Sequence, residues 1–138
     1  MKKTFFLMLA LIVSTSLFAQ KPQPTTNKTK LLVYYFHITN RCNTCRSIET
    51  LTTKVLNETY KTELDSGIII FQSFNVDLPE NKELCKKYDA YGATLALTKI
   101  ENNKETKIDD LTQFAFPKVH TEDIFIKELK EKINEQLK

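Results

Sequence analysis

Two cysteines three residues apart lie where an apolar, strand-like segment meets an amphipathic, helix-like segment. The segment LLVYYFH at residues 31–37 is continuously apolar and aromatic, which is typical of a buried strand. The motif CNTC follows at residues 42–45, and apolar side chains then recur at helical spacing from Ile48 to Val55. A helix that begins at this motif places the positive end of its dipole beside Cys42, which favours the thiolate. The spacing therefore predicts a pair of thiols that can form a disulfide and reopen it.

Residues 1–19 have the pattern of a secretory signal peptide. Two lysines precede an uncharged apolar segment at residues 5–13, and small Ala19 stands before the expected cleavage site at Gln20. The apolar segment is shorter than a bilayer span, so we favour cleavage over the alternative, a retained membrane anchor. The signal is bacterial in style, and we expect a periplasmic protein.

The rest of the chain predicts a short polar leader at residues 20–30 and one domain at residues 31–138, a length that suits a single core. Removal of the signal leaves 18 Lys and Arg against 17 Asp and Glu. The sequence has no basic stripe interleaved with aromatic residues, so it gives no indication of nucleic-acid binding. We expect a monomer that is not inserted in a membrane once the signal is cleaved.

Hydrophobic periodicity and turn residues predict an α/β protein with a mixed sheet covered by helices on both faces. Asn102 and Asn103 indicate a hairpin turn, because Asn tolerates positive φ. Residues 112–120, which include Pro117, are predicted to form a loop, and Thr121 to cap the last helix. The predicted elements are strand 31–37, a helix from residue 43 that ends within 60–65, strand 68–76, helix 81–91 ended by Gly92, strand 94–100, strand 105–111 and a C-terminal helix after Thr121.

Three segments of the chain match the pattern of one known family. They are the apolar strand before the CNTC motif, the segment FNVDLPENKELCKKY at residues 74–88, and TLAL at residues 94–97. The chain from about residue 30 to its C-terminus resembles the thioredoxin-like superfamily, and the motif YYFH…RCNTCR resembles a small group of exported bacterial members. The resemblance implies a three-layer α/β/α sandwich with a central mixed four-stranded sheet. It also implies an exported thiol–disulfide oxidoreductase that acts on protein thiols or disulfides and is recycled by another redox partner.

The sequence departs from that family at three places around the pair. Arg41 stands where thioredoxins usually have Trp, and Asn-Thr replaces Gly-Pro between the cysteines. The family's cis-proline falls on Ala93, which we predict to be trans because a non-proline cis bond costs about 2.5–4 kcal/mol. The buried acid that relays protons in thioredoxins has no match, because the first strand contains no Asp or Glu. The dithiol is kept, but general thioredoxin activity is not implied.

The two cysteines of the motif receive different predicted roles. Cys42, at the helix start, would attack a partner's disulfide, and Cys45 would then attack Cys42 and release the partner. No cofactor beyond the pair itself is expected. The alternative is a purely structural disulfide, which we favour less because so short a ring removes little chain entropy.

Charged and titratable residues near the pair are candidates for assisting it. Arg41 and Arg46 flank the motif, and a positive charge beside a thiolate lowers the thiol pKa. Two solvated arginines are the alternative reading. His37 ends the first strand and is a candidate proton shuttle in place of the missing acid, against the alternative of a structural histidine. Glu49, one turn beyond Cys45, is a weaker relay candidate.

The third cysteine and the second histidine lie apart from the motif in sequence. Cys85 occupies the apolar face of a predicted helix, so we expect a buried, inert thiol, with an intermolecular or regulatory thiol as the alternative. His120 receives no role.

Two further functions remain open from sequence. The two thiolates, with or without His37, suit a soft metal or metalloid ion such as Cu(I), zinc or arsenite, although a stable zinc site normally needs four ligands. The departures at Ala93 and at the missing acid also allow an interaction protein with vestigial redox chemistry.

Overall fold

The computed structural model describes residues 30–138, so the predicted signal peptide and all but the last residue of the leader lie outside the described residues. In this part of the chain, no helix is long and apolar enough to cross a membrane. The elements are β1 (Leu31–His37), α1 (Asn43–Thr59), α2 (Lys61–Asp65), β2 (Ile69–Asn75), a 3₁₀ turn (Pro79–Asn81), α3 (Lys82–Lys87), β3 (Thr94–Glu101), β4 (Lys104–Asp110), α4 (Thr112–Lys118) and α5 (Glu122–Leu137).

The four strands form one mixed sheet in the order β2-β1-β3-β4. Strand β1 is parallel to β2, and β3 is antiparallel to both β1 and β4. The parallel pair is joined through α1, as a crossover connection requires. This order and pairing confirm the predicted thioredoxin-like α/β fold with a central mixed four-stranded sheet.

Strand β1 lies at the centre of the sheet and is buried on both faces. Because side chains alternate along a strand, Val33 and Tyr35 join the larger core under α1, α4 and α5, whereas Phe36 joins a second core under α3. Two-sided burial explains why the sequence of β1 is a continuous apolar run instead of an alternating one. His37 ends the strand on the same face as Tyr35, beneath the start of α1.

The hairpin and the trans peptide are as predicted, whereas the end of the short helix is not. Asn102 and Asn103 have φ of 52° and 61° in the turn between β3 and β4, and residues 30–138 contain no cis peptide bond, including that of Ala93. Helix α3 ends at Lys87, and the left-handed residue that follows it is Asp89, with φ of 51°, and not Gly92. Ala90, the next residue, is buried in the second core.

The prediction of a loop at residues 112–120 was wrong, because this segment contains helix α4. Pro117 lies in its last turn, where one backbone donor is missing. Burial of Ala115 and stacking of Phe114 on Phe125, with ring centroids 5.3 Å apart, outweigh that loss. Thr121 does occupy the N-cap position of α5, but its side chain makes no capping hydrogen bond.

Candidate thiol–disulfide site

The two cysteines of the motif lie at the first turn of α1 and form a disulfide, with Cα atoms 5.2 Å apart. Cys42 is the N-cap residue and is exposed, and its Sγ accepts a hydrogen bond from the backbone N–H of Cys45 at 3.1 Å. Cys45 lies inside the helix and is only 8% exposed. An incoming sulfur therefore meets Cys42 first, at the end of the helix where backbone N–H groups stabilise negative charge.

A buried tyrosine supports the pair from below. The hydroxyl of Tyr35 donates a hydrogen bond to the backbone carbonyl of Cys45 at 2.7 Å. Burial raises the pKa of Tyr35 to about 12, with a further rise from Glu49 and a partial reduction from Arg41, so the hydroxyl remains a donor at neutral pH. The apolar run at residues 31–37 predicted a buried strand and gave Tyr35 no role of its own. Its position two residues before His37, on the same face of β1, was the available signal.

His37, Arg41 and Glu49 form one connected group beside the pair. One guanidinium nitrogen of Arg41 donates to the Glu49 carboxylate, and the other donates to Nε2 of His37. The Nδ1 atom of His37 is 2.9 Å from the carbonyl oxygen of Ile38. Since a carbonyl oxygen only accepts, Nδ1 carries the proton and Nε2 is the acceptor for Arg41. The contacts thus assign the neutral Nδ1–H tautomer and use both ring nitrogens.

The two arginines beside the motif have different surroundings, which the sequence did not distinguish. Arg41 is partly buried and held at both sides of its guanidinium, so it is not a solvated loop residue. Arg46 is exposed and forms no ion pair with any residue in the range 30–138, although its backbone N–H bonds the carbonyl of Cys42 at 3.1 Å.

Hydrogen bonds hold the loop before the motif against the Val-Asp segment, Val76 and Asp77, which follows β2. The backbone N–H of Thr39 donates to Asp77 Oδ2 at 2.7 Å, and the amide of Asn75 donates to the Thr39 hydroxyl at 3.0 Å. Hydrogen bonding from the backbone and the side chain of Thr39 holds the pKa of Asp77 below its ordinary value. The Val-Asp segment therefore fixes the position at which the chain enters the cysteine motif.

Cys85 and His120 lie on different sides of the molecule. Cys85 is a buried free thiol in the second core, and burial raises its pKa, as expected of an inert packed cysteine. His120, to which the sequence gave no role, lines a surface cleft together with Asn43 and Arg46. The packing of α1 against α5 brings it close to the motif despite its distance in sequence.

The described part of the chain contains no group of three or more His, Cys, Asp and Glu side chains that could hold a metal ion. Of the donors that the metal-binding hypothesis invoked, His37 has both ring nitrogens in hydrogen bonds. The geometry therefore gives the two thiolates no third ligand among residues 30–138.

Neither the models of known protein families nor the curated proteins match this chain. Solved thioredoxin structures are similar to it. Thioredoxin from Fasciola hepatica shares 22% identity at a TM-score of 0.49, covering 80% of this chain and 84% of that one. Mitochondrial thioredoxin 3 from Saccharomyces cerevisiae, in its oxidized form, shares 19% identity at a TM-score of 0.44. That match covers 66% of this chain and 76% of that one. Thioredoxin f2 from Chlamydomonas reinhardtii shares 20% identity at a TM-score of 0.43, and the match covers 70% of this chain and 84% of that one.

The class of fold follows from the strand order and pairing described above. Residues 30–138 have a thioredoxin-like α/β fold with a disulfide-bonded CxxC pair at the start of the first helix.

We expect Tyr35→Phe to lower the free energy of unfolding by about 1 kcal/mol, because a buried hydrogen bond to Cys45 is lost while the ring is kept. Since the pKa of Tyr35 is about 12 when folded and about 10 when unfolded, the stability it adds is full below pH 10 and is lost as the pH rises towards 12. The difference in the free energy of unfolding between wild type and Tyr35→Phe should therefore become smaller above pH 10. Urea unfolding measures both effects.

Tyr91→Phe is the matched control for this substitution, because Tyr91 is 77% exposed. Its loss of a hydroxyl should leave stability unchanged within about 0.5 kcal/mol. Equal effects of the two substitutions would show that the bond from Tyr35 to Cys45 does not stabilise the first turn of α1.

Proposed function

We propose that this chain is a thiol–disulfide oxidoreductase whose substrates are protein thiols or disulfides. One observation carries the proposal: an exposed Cys42 at the N-cap of α1 is disulfide-bonded to a buried Cys45. A disulfide with one accessible sulfur at a helix N-terminus has the asymmetry that thiol–disulfide exchange requires. The accessible sulfur acts as the nucleophile and the buried one resolves the intermediate.

The exchange proceeds in two balanced steps when the pair is reduced. The Cys42 thiolate attacks one sulfur of a partner disulfide, forms a mixed disulfide and releases the other partner sulfur as a thiolate. Cys45 then gives up its proton and attacks the Sγ of Cys42, which restores the internal disulfide and releases the second partner sulfur. The released thiolates take up the protons. The pair is oxidised by two electrons, the partner disulfide is reduced to two thiols, and the reverse sequence oxidises a partner dithiol.

Arg41 compensates the charge of the Glu49 carboxylate near the cysteine pair under this proposal. Its guanidinium is held by Glu49 and His37, so Glu49 does not present an uncompensated negative charge to a thiolate of the pair. This compensation stabilises the reduced pair by favouring the thiolate. With both ring nitrogens engaged, His37 suits a positioning role towards Arg41 better than the role of a proton shuttle.

We also propose that the protein is exported to the periplasm of a bacterium and recycled there by a separate redox partner. The lysines and the apolar segment within residues 1–19 support export. N-terminal sequencing of the exported protein should give Gln20 as the first residue. A protein that retains Met1 would contradict cleavage at this site.

The proposal predicts a reduction potential between about −270 and −120 mV for the Cys42–Cys45 pair, the range of working oxidoreductases. Equilibration with glutathione or dithiothreitol, followed by counting of free thiols, measures it. Cys45→Ser should accumulate a mixed disulfide with a disulfide-containing protein substrate, and Cys42→Ser should form none. Cys85→Ser is the control and should turn over like wild type. A potential well below −300 mV would indicate a structural disulfide or the vestigial alternative.

Arg41→Gln should make the reduction potential of the pair more negative, because the Glu49 carboxylate loses its counter-charge and then disfavours the thiolate of the reduced form. Each 30 mV of that shift corresponds to about a tenfold change in the equilibrium with a dithiol. Arg41→Lys is the matched control: it keeps the charge but not the planar fork that spans His37 and Glu49, so its potential should lie between the other two. An unchanged potential in Arg41→Gln would remove Arg41 and His37 from the mechanism.

A further inference from the structure

A cleft of about 480 Å³ opens beside the exposed cysteine, between one side of α1 and the start of α5. Its volume is in the range of sites that hold small ligands or single peptide side chains, about 300–1,000 Å³. The α1 side is a stripe at helical spacing, i, i+3, i+4, i+7 and i+8. That stripe consists of Asn43, Arg46, Ser47, Thr50 and Leu51, and the opposite wall consists of Val119, His120 and Glu122.

The cleft is continuous with the site of thiol–disulfide exchange. Asn43, at one end of its lining, directly follows Cys42. Arg46 lies four residues after Cys42, so the two share one side of the first turn, and its backbone N–H bonds the Cys42 carbonyl at 3.1 Å. A partner chain whose sulfur is bonded to Cys42 therefore has its neighbouring residues within reach of this cleft.

The cleft contains one cation, Arg46, and one carboxylate, Glu122, and they differ in whether they have an ion-pair partner. Arg46 is exposed and has no ion-pair partner among residues 30–138. Glu122 is the carboxylate in the lining, and Lys54 compensates its charge through an ion pair of 2.5 Å. The hydrogen bond to Glu122 is the main cause of the raised pKa of Lys54. The N-terminal end of α1, whose first turn has no acidic residue, adds the positive end of its dipole on the side of Arg46.

We propose that this cleft binds an acidic segment of the substrate protein, placed next to the substrate's reactive cysteine. The carboxylate of an Asp or Glu pairs with Arg46, and the polar groups of Asn43, Ser47 and His120 provide further hydrogen-bonding groups around it. This inference rests on the proposed function and adds the substrate class. Arg46 thereby determines specificity, whereas Arg41, whose charge is balanced by Glu49, does not contact the partner.

The test uses three short peptides, each with a single cysteine bonded to thionitrobenzoate and flanked by Glu, Ala or Lys. The Cys42 thiolate of the reduced protein attacks the peptide sulfur, and the released thionitrobenzoate is measured by its absorbance. The expected order of rates is Glu above Ala above Lys, with a ratio of Glu to Lys of roughly two- to fivefold, the range of an exposed ion pair. Added salt should reduce this ratio because it screens exposed charges.

Arg46→Glu should reverse the order of the three peptides, and Arg46→Gln should abolish the preference. The charge-matched control is Lys104→Glu, an exposed residue at the β3–β4 hairpin outside the cleft, which should keep the wild-type order. If Arg46→Glu fails to fold, Arg46→Gln decides the outcome.

Two negative outcomes are distinguishable. Equal rates for the three peptides in wild type, or a preference that survives in Arg46→Gln, would overturn the acidic-substrate inference and leave the oxidoreductase proposal standing. Absence of thionitrobenzoate release from every peptide would overturn the proposed function, and the inference with it.

Discussion

The site depends on the start of α1 at Cys42. Because Cys42 is the N-cap residue, its Sγ accepts a hydrogen bond from the backbone N–H of Cys45, and the residue is exposed to solvent. Cys45, inside the helix, is buried. A shift of the helix start by one residue would bury or rotate one of the two sulfurs. Two sets of contacts oppose such a shift: Tyr35 binds the first turn from below, and Asp77 holds the loop that leads into it through Thr39.

The polar groups beneath the pair are neutral side chains and a balanced ion pair, and β1 contains no Asp or Glu. Tyr35 and His37 occupy alternate positions of β1 on the face under α1, and they stack with ring centroids 6.3 Å apart. Neither carries a charge in the arrangement described, so the central strand avoids the cost of a buried, unpaired carboxylate. The charges lie one layer further out, where Arg41 and Glu49 are partly exposed and neutralise each other.

Local patterns predicted the central elements, and tertiary contacts decided the rest. The apolar run of β1 and the helical spacing in α1 are properties of contiguous residues. The turn signal at Asn102 and Asn103 is local in the same way. Helix α4 was missed because Pro117 is a local signal against a helix, whereas the burial of Ala115 depends on α5 and β3. Likewise, no local pattern showed that His120 would lie beside the cysteine motif, since the docking of α1 on α5 brings them together.

Under the two proposals, the different surroundings of Arg41 and Arg46 give one arginine a role in reactivity and the other a role in substrate recognition. A charge that already has a partner, such as that of Arg41 with Glu49 and His37, contributes a constant local potential and gains little from a new ligand. A charge with no ion-pair partner among the described residues, such as that of Arg46, gains most when an anion arrives. In the proposed function, the paired charge of Arg41 acts on the thiolate of Cys42. By the same reasoning, the charge of Arg46, unpaired among residues 30–138, acts on the substrate. A substitution at Arg46 would then alter substrate specificity without altering the redox chemistry of the pair.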